Sequence, residues 1–185
     1  MQGKAAADPV YDPVARGIHW VNAMLAAVVV LLAWGISGAQ RHGSARESLI
    51  VLHGSLGIVI LLLMLFWAGW RIRHPAPSLR PVLSRIEMML ARATQTTLHA
   101  AFVLMSLTGY VSLAAAGQRV SFFGLVEIPA LVPESGLLSQ VAIALHLIGE
   151  FVIYGLLAGH IGAALIHGFV RRDGILERML PRSGG

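Results

Sequence analysis

The chain has 185 residues, 56% of them hydrophobic and only 12% charged, with mean hydropathy +0.73 and no cysteine. About a quarter of residues are charged in ordinary soluble domains, so this composition excludes one. The missing cysteine also excludes disulfides, thiolate zinc sites, iron–sulfur clusters and covalent C-x-x-C-H haem attachment.

The formal charge of +5 sits in blocks between long apolar stretches, which argues for an integral membrane protein and against nucleic-acid binding. Roughly 20 apolar residues cross a bilayer core of about 30 Å. Four stretches qualify: about 17–38, 49–70, 93–116 and 137–170. Each must be a helix, because an open strand would leave backbone groups without partners in lipid. The expected fold is therefore all-α, one membrane domain over 1–185, built as a four-transmembrane-helix bundle. The first three stretches contain no Asp, Glu, Lys or Arg, and the fourth contains only Glu150. The fourth is longer than a span requires and is expected to tilt or project.

No cleavable leader is expected, since Asp8, Pro9, Asp12 and Pro13 precede the first apolar run and no A-x-A-like site follows it. Eleven of the 14 Lys and Arg fall in the N-terminus, the second loop and the C-terminus; only Arg41, Arg46 and Arg119 lie in the other two loops. The positive-inside rule then places both termini in the cytoplasm. The third loop, 117–136, is apolar but broken by Gly124, Glu127 and Pro129. It reads as a loop resting on the outer membrane interface, or as one wall of a quinone or substrate pocket. Trp20, Trp34, Trp67 and Trp70 lie near the expected helix ends and read as interfacial anchors.

Five histidines fall at membrane depth: His19, His53, His99, His146 and His160. One such residue is usually a satisfied hydrogen-bonding group; five with almost no carboxylates to pair with call for a common explanation. His146 and His160 are fourteen residues apart, about 21 Å along a helix and nearly on one face. His53 lies at the outer level of His146, and His19 at the inner level of His160. Two stacked bis-histidine sites suit two b haems held without covalent bonds. Gly54, Gly57, Gly149, Gly159 and Gly162 would give a macrocycle room, or else serve helix packing, as in Gly155-x-x-x-Gly159. His99 shares the inner level; the choices are ligation, a bond to a haem propionate or simple packing, and a non-ligand role is favoured. His42, His74 and His167 read as solvated or interfacial. Glu150, one turn after His146, reads either as a proton relay or ligand-supporting group, or as a protonated acid bonded to a neighbouring helix.

Ile18-His19-Trp20, Leu52-His53-Gly54-Ser55-Leu56-Gly57, Ser121-Phe-Phe-Gly-Leu125, His146 with His160, and the ending Phe169-Val-Arg-Arg-Asp-Gly-Ile-Leu-Glu-Arg-Met-Leu-Pro181 together resemble the bacterial dihaem cytochrome b561 family over about residues 11–181. The resemblance implies a bacterial cytoplasmic (inner) membrane protein of respiratory electron transport, with two haem b. It implies axial iron ligands at His19, His53, His146 and His160, in the pairs His19/His160 and His53/His146. It implies ubiquinone or another quinone as partner, with a periplasmic redox partner or superoxide on the other side. One kind of relative oxidises superoxide and reduces ubiquinone; larger ones are cytochrome subunits of hydrogenases and formate dehydrogenases. Leu147 stands where an acidic residue is often found in the family, with Glu150 three positions later.

Three function classes follow. The first is a stand-alone quinone-linked cytochrome, including a superoxide oxidase, whose outer arginines 41, 46 and 119 would steer an anion. The second is an electron-relay and anchor subunit for a soluble dehydrogenase or hydrogenase. The third is a histidine-lined metal transporter, against which the lack of intramembrane Asp or Cys argues. Residues that catalyse, as distinct from hold a cofactor, are not named by the sequence.

Overall fold

The computed structural model describes residues 11–40, 43–77 and 82–180. Its frame is four long helices: α1 Pro13–Gly38, α2 Ser44–Arg73, α3 Arg85–Ala115 and α4 Gly136–Leu165. All four are long and apolar enough to span a bilayer. A π-helical turn, Ile166–Arg171, extends α4, and a single 3-10 turn follows at Leu176–Arg178.

The helices start earlier than the apolar stretches because their caps lie in the polar flanks. Asp12 accepts the Ala15 N–H at 2.9 Å, and Pro13 sits at the first helical position, where no N–H is needed. Ser84 and Glu87 form a reciprocal capping box at the head of α3. Ser135 caps α4 through the Leu138 N–H. Apolar length measures the membrane; caps measure the helix.

Close packing runs α1 on α2, α2 on α3 and α3 on α4. α4 meets α1 and α2 chiefly through side chains reaching across the middle of the bundle. Outward faces stay apolar, with Met24 and Leu31 each 62% exposed and Phe151 73%. Lipid solvates such faces as well as a protein core would, so helix contacts rely on small residues and polar bonds instead. Ala15, Ala114 and Ala115 are accordingly among the most buried residues.

The loop 117–136, read from sequence as resting on the outer membrane interface or forming one wall of a quinone or substrate pocket, contains a hairpin. β1 Val120–Phe122 pairs antiparallel with β2 Val126–Ile128, Ser121 opposite Glu127. Its turn is closed by the Leu125 N–H on the Phe122 carbonyl at 3.0 Å, with positive φ at both Phe123 and Gly124. Phenylalanine seldom adopts that conformation. Here it is held by α2: the fully buried Ser55 hydroxyl accepts the Phe123 N–H at 2.7 Å and donates to the Val51 carbonyl at 2.6 Å.

The arginine-rich end is tied by polar bonds. Arg16 and Trp20 donate to the carbonyls of Leu180 and Met179, Trp70 donates to Asp12, and Arg171 bridges to Glu87. Three indoles read from sequence as interfacial anchors thus have protein acceptors, Trp34 on Tyr154 being the third.

Candidate haem-binding sites between the helices

Two pairs of imidazoles face each other inside the bundle. His53 of α2 and His146 of α4 have ring centres 6.1 Å apart; His19 of α1 and His160 of α4 are also separated by 6.1 Å. A metal–imidazole bond runs about 2.0 Å and each nitrogen lies about 1 Å from its ring centre, so an iron held between two imidazoles sets the centres roughly 6 Å apart. Both pairs have that spacing. The fourteen residues from His146 to His160 put the two levels about 21 Å apart along α4.

The His53/His146 pair is oriented by the other two helices. His53 Nδ1 lies 3.2 Å from the Val29 carbonyl of α1, and His146 Nδ1 lies 2.9 Å from the Met105 carbonyl of α3. A neutral imidazole donating from Nδ1 keeps its Nε2 lone pair free, the tautomer a metal ligand needs. All four helices therefore shape this level. For His19 and His160 no such carbonyl partner exists among the described residues; His19 meets the Trp20 ring edge-on at 5.3 Å.

The glycines divide between the two readings. A Cβ built at Gly54, Gly57, Gly159 or Gly162 would meet no atom within 4 Å, so these positions border open space. Gly57, one turn past His53, leaves that helix face clear for a flat ring. Gly155 is equally open, so Gly155-x-x-x-Gly159 does not pack against another helix among the described residues. Gly149 is the reverse: the Met105 sulfur occupies the space a Cβ would need. Gly109, which no sequence signal marked, lies under His146, with Cε1 3.0 Å from where its Cβ would stand. The donor chemistry, spacing and open faces fit b-type haem at both levels.

His99 joins neither pair. It lies against Trp67 of α2, ring centres 4.9 Å apart, and Arg71 covers the same indole at 5.3 Å. His74 stacks on Trp70 at 4.0 Å. His167, expected to be solvated or interfacial, is largely sheltered and hydrogen-bonded to Asp173 at 2.5 Å. His42 and Arg41 lie outside the described residues. Among the described residues no cluster of three or more His, Asp or Glu is placed to cage a metal ion.

Glu150 accepts the hydroxyl of Tyr154 one turn along its own helix, rather than bonding to a neighbouring helix, and Tyr154 in turn accepts the Trp34 indole N–H at 3.0 Å. The i, i+4 spacing of Glu150 and Tyr154 was a signal available in the sequence. The carbonyls of Val29 and Met105 left none, since every residue has one.

Outside the membrane segments, two carboxyls are held below their usual pKa. Burial works to raise Asp12, but the Ala15 amide, the Trp70 indole, the charge of His74 and the Val14 amide outweigh it. Burial likewise opposes the shift at Asp173, where the His167 hydrogen bond, the Ile175 amide and the charges of His167 and Arg171 prevail.

Comparison with known proteins identifies the family of the chain. The family model described as prokaryotic cytochrome b561 matches residues 10–182. The chain is similar to cytochrome b561 homolog 2 of Escherichia coli K12, 28% identical over 94% of this chain and 92% of that one. It is similar to homolog 1 of the same organism, 28% identical over 89% and 93%. It is 30% identical to a protein of Yersinia pestis named "Probable superoxide oxidase CybB", over 95% of this chain and 98% of that one. Four spanning helices and bacterial relatives make it a multi-pass protein of the bacterial inner membrane. The chain belongs to the prokaryotic cytochrome b561 family, haem-b-binding proteins of membrane electron transfer.

Proposed function

We propose that this chain is a stand-alone dihaem cytochrome that moves electrons between the membrane quinone pool and a periplasmic reactant. The observation that carries the reading is the two facing imidazole pairs at two levels of α4. His53 and His146 would hold the outer haem, and His19 and His160 the inner. Haem held there by these imidazoles would supply one-electron, outer-sphere redox chemistry.

The remaining work belongs to the chain itself. Carbonyls of Val29 and Met105 fix the outer ring orientations, and the clear face at Gly57 admits the macrocycle. The specific reaction favoured is superoxide oxidation coupled to ubiquinone reduction. Two superoxide ions each lose one electron and leave as dioxygen; one ubiquinone gains those two electrons and two protons. The Yersinia pestis relative's name and the near-complete coverage of all three small relatives support this over a subunit of a larger dehydrogenase. Of the arginines at the outer end, Arg119 is ion-paired with Glu127 at 2.9 Å, which lowers its value for steering an anion.

The test is a dithionite-reduced minus oxidised spectrum with a pyridine haemochrome count on the purified protein. Two low-spin b haems per chain are expected. One haem would mean that one pair is misassigned. None, in protein made with ample haem, would overturn the reading. Superoxide-dependent reduction of a ubiquinone analogue then separates the specific reaction from general electron relay.

A further inference from the structure

A carboxyl group in the apolar part of a membrane helix is costly unless it serves something. Glu150 is the only one in the four apolar stretches. It sits one turn past His146, with Tyr154 donating to it and Trp34 of α1 donating to Tyr154. The cluster bridges α4 to a helix against which α4 does not pack closely. It is also open to the membrane: Trp34 is 58% exposed and Phe151 73%. The three aromatic rings lie edge to face, Trp34 to Tyr154 at 6.4 Å and Phe151 to Tyr154 at 6.2 Å.

Each part matches one need of a quinone headgroup. A quinone has two carbonyl acceptors and a flat ring; its reduced form has two hydroxyl donors on the same ring. Glu150 keeps one carboxyl oxygen as an acceptor for a hydroxyl, while the single hydrogens of Tyr154 and Trp34 are engaged with Glu150 and Tyr154, so a quinone carbonyl would take one of them in exchange. Exposed aromatic faces give the ring a stacking surface. Entry is from the lipid, where the long tail of such a molecule stays. A position one turn from His146 sets the headgroup beside the outer imidazole pair. The geometry points to a quinone-headgroup site on the membrane-facing side between α1 and α4, formed by Trp34, Glu150, Phe151 and Tyr154. It rests on the quinone-linked reading above and names the place in this chain where that partner binds.

The test uses the full-length protein in lipid nanodiscs, with an azido-substituted decylbenzoquinone as photolabel and plain decylbenzoquinone for affinity. The wild type is expected to be labelled within 29–38 and 147–158. Glu150→Gln, Tyr154→Phe and the double variant are expected to weaken binding, the double variant by roughly tenfold or more through lost hydrogen bonds in a low-dielectric site. The visible spectrum of each variant, read beside it, shows whether the histidine sites are intact. Should a variant lose that spectrum, the labelling map of the wild type decides alone. Labelling confined to other helices, or wild-type affinity in the double variant, overturns this site while leaving the quinone-linked reading in place. A wild type that neither binds nor is labelled overturns both.

Discussion

His53 and His146 face each other at 6.1 Å, and each is steadied by a backbone carbonyl from a helix other than its partner's. The inner pair, His19 and His160, has the same spacing without that support among the described residues. The two levels are therefore alike in residue type and spacing and unlike in hydrogen bonding.

Replacing one member of a pair should empty that level and spare the other. For His146→Ala the haemochrome count is expected to fall from two to one per chain, and His160→Ala should do the same. The remaining haem should differ between the variants in its reduction potential, because one would lie at the carbonyl-braced level and the other would not. Retention of both haems in either variant would refute the assignment.

Gly109 sets the position of the His146 ring. A methyl group at this site would lie about 3 Å from Cε1, tighter than normal contact, so the imidazole must move. Gly109→Ala is expected to cost about 1–3 kcal/mol of stability. In a redox titration it should shift one of two haem transitions and leave the other alone. Equal shifts in both would show that the effect is not local.

Ser55 joins α2 to the outer hairpin. Ser55→Ala leaves the Phe123 N–H and the Val51 carbonyl without that hydroxyl in a fully buried position. The expected loss is about 1–3 kcal/mol, seen as a lower melting temperature and faster proteolysis within 119–128. Unchanged values for both would mean that the hairpin is held by other contacts.

The two depressed carboxyls predict acid lability at the arginine-rich end. A carboxyl whose folded pKa lies below its unfolded value of 3.8 contributes stability that is present above that value. The contribution is lost as pH falls through the lower folded pKa. The melting temperature should therefore hold steady near neutrality and drop more steeply below about pH 4. Asp173→Asn should flatten part of that drop, and Asp12→Asn part of it, since asparagine still caps a helix. Identical acid profiles in the double variant and the wild type would remove both residues from the account.

Much of the architecture is legible in the sequence because the bilayer imposes it. Uncharged stretches of span length must become helices there. Helix ends were harder: Asp12 and Ser84 extend α1 and α3 well beyond their apolar runs, as capping obeys hydrogen bonding and not hydropathy. The hairpin at 120–128 was not legible, because its turn puts a phenylalanine at positive φ and is held by a serine 68 residues away.

At the site, residue type and spacing singled out His19, His53, His146 and His160 and the levels at which each would lie. The levels follow from the span boundaries, the alternating direction of the helices and the helical rise, which also put His99 level with His19. What only tertiary structure decided is how the rings are held and what surrounds them. The carbonyls behind His53 and His146, the glycine beneath His146, and the Trp34–Tyr154–Glu150 chain across two helices depend on helix rotation and tilt. The packing of α1 on α2, α2 on α3 and α3 on α4 sets these, because lipid solvates every apolar face equally and gives hydropathy no means to choose among them.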